Sequence, residues 1–233
     1  MDIERSPREL VEAVGSWLHF EAMCGRTELF SEQYLSYPIG QYLSGKYGDR
    51  LRTEFPHPVL SQLRTGRGDK PRLDFAVLDD DAIRLAVETK WLGPTSSLES
   101  ILRDLVRLEL VAAHSHATTY FILGGTKRNL HALFSTKAFQ AYPEHTESRP
   151  LMPVDHNNTR ALRLDPAPAF REELFAKSLA KLKGVDLPRV FVLQRTAPFP
   201  TLVKAGQFQI YGWRVECAGV RSTFRCEELP DGA

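Results

Sequence analysis

Between Pro71 and Trp91 the chain carries two short apolar runs split by three consecutive acids, and the second run closes on Glu88-Thr89-Lys90. Leu73-Asp74-Phe75-Ala76-Val77-Leu78 and Ile83-Arg84-Leu85-Ala86-Val87 read as two strands of a hairpin, with Asp79-Asp80-Asp81 supplying the turn. Side chains two apart on a strand share a face, so Glu88 and Lys90 point one way while Leu85 and Val87 point the other. A turn centred on Asp81 sets Asp74 opposite Glu88, because each lies seven residues from it. Cross-strand partners share a face, which brings these two carboxylates to within roughly 5 Å at Cβ.

Like charges placed opposite each other destabilise a hairpin, so this arrangement calls for a cation. Mg²⁺ takes carboxylate oxygens and keeps several of its waters, and a lysine beside it is suited to orient or deprotonate one of them. A Glu-x-Lys triplet by itself is expected about once by chance in a chain this rich in charge. The apolar strand around it and the matching Asp74 are what give it weight.

Asp74, a spacer and then Glu88-Thr89-Lys90 resembles the pattern of the PD-(D/E)xK nuclease superfamily, the restriction-endonuclease-like proteins. The proline of that pattern is not adjacent to Asp74; Pro71 lies three residues before it. The resemblance runs from about Thr27 to Gly125 and implies an α/β fold with a mixed sheet, its core ordered helix, three-stranded meander, helix, strand. It also implies that Asp74 and Glu88 hold Mg²⁺, with Mn²⁺ as a substitute, that the Thr89 carbonyl is a further ligand and that Lys90 assists the attacking water. Many such proteins carry an acid on the helix before the first strand. The segment Glu28 to Leu35 offers Glu32: with Thr27 as N-cap, Glu28 falls in the first turn, where the helix dipole explains a carboxylate, and Glu32 lies one turn deeper. Glu21 on the preceding helix is the alternative. The implied activity is metal-dependent hydrolysis of nucleic-acid phosphodiesters, with DNA favoured over RNA. An inactive member of such a family would instead serve as a nucleic-acid-binding or assembly module.

The flanking sequence fits that order. Ser96-Ser97-Leu98-Glu99 reads as a capping box, followed by Leu98, Ile101, Leu102, Leu105, Leu108 and Ala112 at helical spacing. Thr118 to Leu123 is a continuous β-branched and aromatic run ended by two glycines, the signature of a strand buried on both faces. Leu51 to Phe55 is the expected first strand of the meander, limited or marked as an edge by Pro56 and Pro58. Before the Asp74 strand, Arg64, Arg67, Lys70 and Arg72 form a basic loop suited to phosphate contacts. Asp69 in that loop is a second choice for the ligand assigned to Asp74.

Three regions are expected: a nuclease-like core with N-terminal helices over 1–142, a polar proline-rich connection over 143–169, and a C-terminal α+β extension over 170–233 that adds strands to the main sheet or packs on it. Ser6-Pro7-Arg8-Glu9 reads as a capping box opening the N-terminal helix. A long irregular connection suits gating of a substrate or an arm to a second copy or another protein, and the sequence leaves these open. In the extension, Phe208, Tyr211 and Trp213 suit core packing better than base stacking. His114 and His116 fit the end of a helix better than a metal pair.

With a formal net charge of only +1 over 233 residues, nucleic-acid binding has to come from asymmetry between faces. No run reaches membrane-helix length and the first residues lack a signal-peptide pattern, so a cytoplasmic protein with no membrane partner is expected. Cys24, Cys217 and Cys226 have no zinc-ligand spacing.

Overall fold

A computed structural model describes residues 7–63, 70–93, 97–140, 150–154, 159–202, 204 and 207–226. Helix α1 (Arg8–Met23) and helix α2 (Glu32–Tyr47) precede strand β1 (Leu51–Pro56) and a single helical turn, α3 (Pro58–Ser61). The hairpin follows as β2 (Arg72–Asp79) and β3 (Ala82–Leu92). Helix α4 (Leu98–Ser115) then crosses to β4 (Thr118–Thr126) and α5 (Lys127–Phe134). The remainder is β5 (Thr159–Arg163), α6 (Glu172–Leu179), β6 (Leu187–Pro188), β7 (Val190–Arg195), β8 (Phe208–Cys217) and β9 (Thr223–Phe224).

Seven of these strands form one sheet in the order β1-β2-β3-β4-β8-β7-β5, while β6 and β9 pair separately. Among the described residues only the β3–β4 pair is parallel, as the α4 crossover between them requires. The fold is mixed α/β, with helices on both faces of a mostly antiparallel sheet. Leu10, Val11 and Val14 of α1 and Leu35, Ile39 and Leu43 of α2 bury one face against Val77, Leu85, Val87 and Ile122. On the opposite face Ile101, Leu102, Leu105 and Leu108 of α4 pack against Ala76, Ala86, Phe121 and Leu123. Each such fully buried side chain contributes about 1.5–3 kcal/mol, so α4 is seated firmly enough to carry charged groups on its buried side.

The hairpin register agrees with the sequence, by a less direct route than a turn centred on Asp81. The turn residues are Asp80 and Asp81, both left-handed at φ 46° and 67°, and Asp79 pairs with Ala82. This is the backbone twist that two-residue hairpins favour, and Asp tolerates it better than most residues. A bulge between Val77 and Leu78 leaves Arg84 unpaired and shifts the register by one, so that Val77 meets Leu85 and Phe75 meets Val87. From the bulge onward the pairing is symmetric about Asp81, and its continuation carries Asp74 to Glu88.

Several local expectations are corrected. Residues Thr27–Leu29 form a 3-10 turn, and α2 begins only at Glu32, capped by Ser31, whose Oγ accepts the Tyr34 amide. The N-cap of α4 is Ser97, accepting from the Ser100 amide, one residue later than the capping box implied; Ser96 and Ser6 lie outside the described residues. Within 143–169, read as irregular, Thr159–Arg163 forms an edge strand with alternating burial. Trp213 is fully buried and its indole N–H donates to the Pro153 carbonyl, and Tyr211 stacks on it inside the core.

Beside the site the sheet leaves no room at Gly124. A Cβ there would lie 2.8 Å from the Trp91 ring and 2.9 Å from Ile210. Gly124→Ala is expected to lower the unfolding free energy by about 1–3 kcal/mol, read by urea denaturation; an unchanged midpoint would show that the Trp91 ring has somewhere to go.

Candidate active site at the open end of the hairpin

β3 runs on past its pairing with β2. The last paired residues on this side are Phe75 and Val87, and beyond them β3 keeps its parallel partner β4 from Glu88 to Leu92. Where the two strands part, Asp74 takes over the role of a ladder partner. Its Oδ2 accepts the Thr89 amide at 2.7 Å and the Thr89 hydroxyl at 2.9 Å. Thr89, expected as a carbonyl ligand, is seen to fix Asp74 in place through its amide and hydroxyl.

Glu88 is 3 % exposed, beneath α4. Arg107 of α4 sets its Nη2 2.9 Å from Glu88 Oε1, but without hydrogen-bond alignment, and that oxygen has no hydrogen-bond partner among the described residues. The same guanidinium donates to the Arg72 carbonyl and lies 3.2 Å from Asp104 Oδ1. Lys90 Nζ sits 3.2 Å from Asp104 Oδ2 and 3.2 Å from Glu32 Oε1. Asp104 therefore bridges the two cations, and Glu32, half exposed at the start of α2, closes the cluster on the solvent side.

These contacts set the protonation chemistry. Burial pushes the Asp74 carboxyl above its ordinary range, the two Thr89 hydrogen bonds oppose this, and the Asp104 charge adds to it. Burial raises Glu88 well above the usual carboxylate value; Arg107 opposes the rise, and the charges of Asp74 and Asp104 reinforce it. For Lys90 burial alone would lower the ammonium pKa, but Asp104 and Glu32 outweigh it and hold the group above its ordinary value. A lysine so held is a cation and a donor near neutral pH, able to orient a water or stabilise negative charge and unsuited to take up its proton.

The hairpin thus brings Asp74, Glu88 and Lys90 together, and Glu32 joins them through Lys90. Its place is the first turn of α2, where the helix dipole favours a carboxylate, and not one turn deeper as the sequence implied. Glu21 is buried elsewhere and pairs with Arg26 at 2.9 Å. Lys70 and Arg72 are exposed where the chain enters β2, while Arg64, Arg67 and Asp69 lie outside the described residues.

Asp104 and Arg107 were missed. Their signal was available: Asp104 falls among Ile101, Leu105 and Leu108 on the apolar stripe of α4, and a charge there needs a partner. A backbone feature the sequence did not signal is exposed Glu54, which stands in β1 between the Thr53–Phe75 and Phe55–Leu73 pairs with a left-handed φ of 48°.

Two surface hollows, of about 380 and 440 Å³, are lined by other residues and include none of these charged groups. Among the described residues, no three His, Cys, Asp or Glu side chains converge to hold an ion by themselves, and no helix is long and apolar enough to cross a membrane. Comparison with protein-family models, with curated proteins and with solved structures finds no match for this chain in any of the three.

The raised carboxyls make stability depend on pH in a definite sense. Between the ordinary value near 4.5 and the raised value of Glu88, the folded chain holds more protons than the unfolded one, so unfolding free energy falls as pH rises through that window. In metal-free buffer, urea denaturation at a series of pH values is expected to show this decline in the parent and a shallower one in Glu88→Gln. Equal slopes would mean that Glu88 is not the titrating group.

Proposed function

We propose that the protein is a Mg²⁺-dependent phosphodiesterase of nucleic acid, DNA favoured over RNA, with a restriction-endonuclease-like core. One observation carries the reading: a buried Glu88 oxygen without a hydrogen-bond partner among the described residues lies across the open hairpin from an Asp74 held by two hydrogen bonds, with Lys90 on the same strand as Glu88. The element order α2, β1–β3, α4, β4 supports the same reading, as does the parallel β3–β4 pair.

A divalent cation fits this donor set. Fully ionised, Asp74, Glu88, Asp104 and Glu32 carry four negative charges against two positive ones on Lys90 and Arg107, a deficit that one such ion balances. Mg²⁺ is commonly held by only one or two protein carboxylates, its other positions going to water and substrate phosphate, so the absence of a third convergent ligand among the described residues does not count against it. Asp74 and Glu88 would hold the ion, with the Thr89 carbonyl as the further protein ligand. Bound there, it would supply Lewis-acid activation of water and charge stabilisation at phosphorus.

This chain's own residues do the rest. Thr89 fixes the Asp74 carboxylate and Asp104 fixes Lys90. Lys90, kept cationic, donates a hydrogen bond that aligns the attacking water or steadies the phosphate oxygens as the bond from phosphorus to the leaving sugar oxygen breaks. Lys70 and Arg72 at the mouth of β2 suit contacts to the phosphate backbone.

One observation favours a second reading, a nuclease-fold module that binds nucleic acid or assembles with a partner without cutting. Arg107 already places positive charge 2.9 Å from Glu88, as a permanently neutralised site would.

Incubation with Mg²⁺ or Mn²⁺ and single-stranded, duplex and branched DNA and RNA separates the two. The parent is expected to cleave at least one substrate. Lys90→Ala and Asp74→Asn are expected to lose about 100-fold or more in rate with folding intact by circular dichroism. Normal cleavage by either variant would refute the site assignment, and retained nucleic-acid affinity without cleavage by the parent would favour the binding module.

A further inference from the structure

The cluster already holds one cation against the buried carboxylate. We propose that Arg107 is the resident counter-ion of Glu88 in the metal-free protein, and that a divalent cation binds by displacing its guanidinium toward Asp104. The proposal rests on the metal-site reading of Asp74 and Glu88.

Three features of the contact support displacement over a permanent ion pair. Arg107 Nη2 is 2.9 Å from Glu88 Oε1, close enough for strong Coulomb attraction, yet it makes no aligned hydrogen bond to that oxygen. Its aligned bonds run elsewhere, from Nη2 to the Arg72 carbonyl and from Nη1 to Asp104 Oδ1 at 3.2 Å. The guanidinium therefore keeps two acceptors when it leaves Glu88. Its Nε is buried without an acceptor among the described residues, so these contacts leave the group incompletely satisfied. A permanent buried pair would be expected in the aligned, two-pronged geometry that Arg and carboxylate favour, as Arg221 makes with Glu109 at 3.0 and 3.3 Å elsewhere in this molecule.

Asp104 is the second half of the device. It contacts Arg107 through Oδ1 and Lys90 through Oδ2, so a guanidinium moving toward it stays neutralised and Lys90 keeps its place. The metal-free cluster is then stable without an ion, and the ion's apparent affinity is reduced by the fraction of molecules in which Arg107 occupies Glu88.

The test is calorimetric titration of the whole protein with Mn²⁺, without nucleic acid, for the parent, Arg107→Gln and Arg107→Lys, alongside thermal midpoints with and without Mn²⁺. Arg107→Gln is expected to bind Mn²⁺ about ten-fold more tightly than the parent, to melt lower in metal-free buffer and to recover more of that loss on adding Mn²⁺. Arg107→Lys keeps a charge without the fork and is expected to fall between the two. Should Arg107→Gln fail to fold, Arg107→Lys decides: affinity at or below the parent's overturns the proposal. Binding by the parent with equal or weaker binding by Arg107→Gln overturns displacement and leaves the metal site standing. No Mn²⁺ binding by any of the three overturns both.

Discussion

Burying the Glu88 carboxylate under α4 is the constraint to which the rest of the site answers. An ionised carboxylate away from water is strongly unfavourable unless a counter-charge accompanies it. Here it lies opposite another carboxylate, Asp74, and near a third, Asp104, whose charges oppose its ionisation further. The fold meets this with Arg107 on one side and Lys90 on the other, both held by Asp104. Apolar packing does not account for two acids of the sheet, Asp74 and Glu88, set against a third, Asp104, on the helix that covers them. Arg107 and Lys90 supply the positive charge that this grouping requires.

The architecture that delivers these groups is simple. The Asp80–Asp81 turn and the Arg84 bulge fix the hairpin register, and the register fixes which side chains share a face. The parallel β3–β4 pair then requires a crossover helix, and α4 is that helix. Its apolar stripe seats it on the face that Glu88 and Lys90 share, so Asp104 and Arg107 arrive beside them without any further device. The α1–α2 layer covers the opposite face, and the first turn of α2 reaches round to Lys90 through Glu32.

The hairpin was legible because its signals are local: two apolar runs, a turn of acids and a period of two. The placing of its charged groups was half legible, since the grouping of Asp74, Glu88 and Lys90 follows from the register alone. Asp104 and Arg107 depend on where α4 docks, which the sequence of the hairpin does not contain, although a charge on an apolar stripe was a visible warning. The start of α2 was misplaced because Thr27 is also a credible cap, but it opens a separate 3-10 turn, and it is the Ser31 side chain that accepts the amide of Tyr34. Strand β5 was passed over because Thr159 to Arg163 is only five residues and its polarity does not alternate, since one of its two buried positions is Arg160. The left-handed Glu54 left no local trace at all, as Glu has no preference for that conformation.

The central claim, that the open end of the hairpin is built for a divalent cation, is tested most directly by crystals grown with Mn²⁺ and data collected at its absorption edge. The account predicts an anomalous peak between Asp74 and Glu88, about 2.1 Å from a carboxylate oxygen of each, with the Arg107 guanidinium drawn off Glu88 toward Asp104. A map with no peak there, and Arg107 still against Glu88 at saturating Mn²⁺, would contradict it.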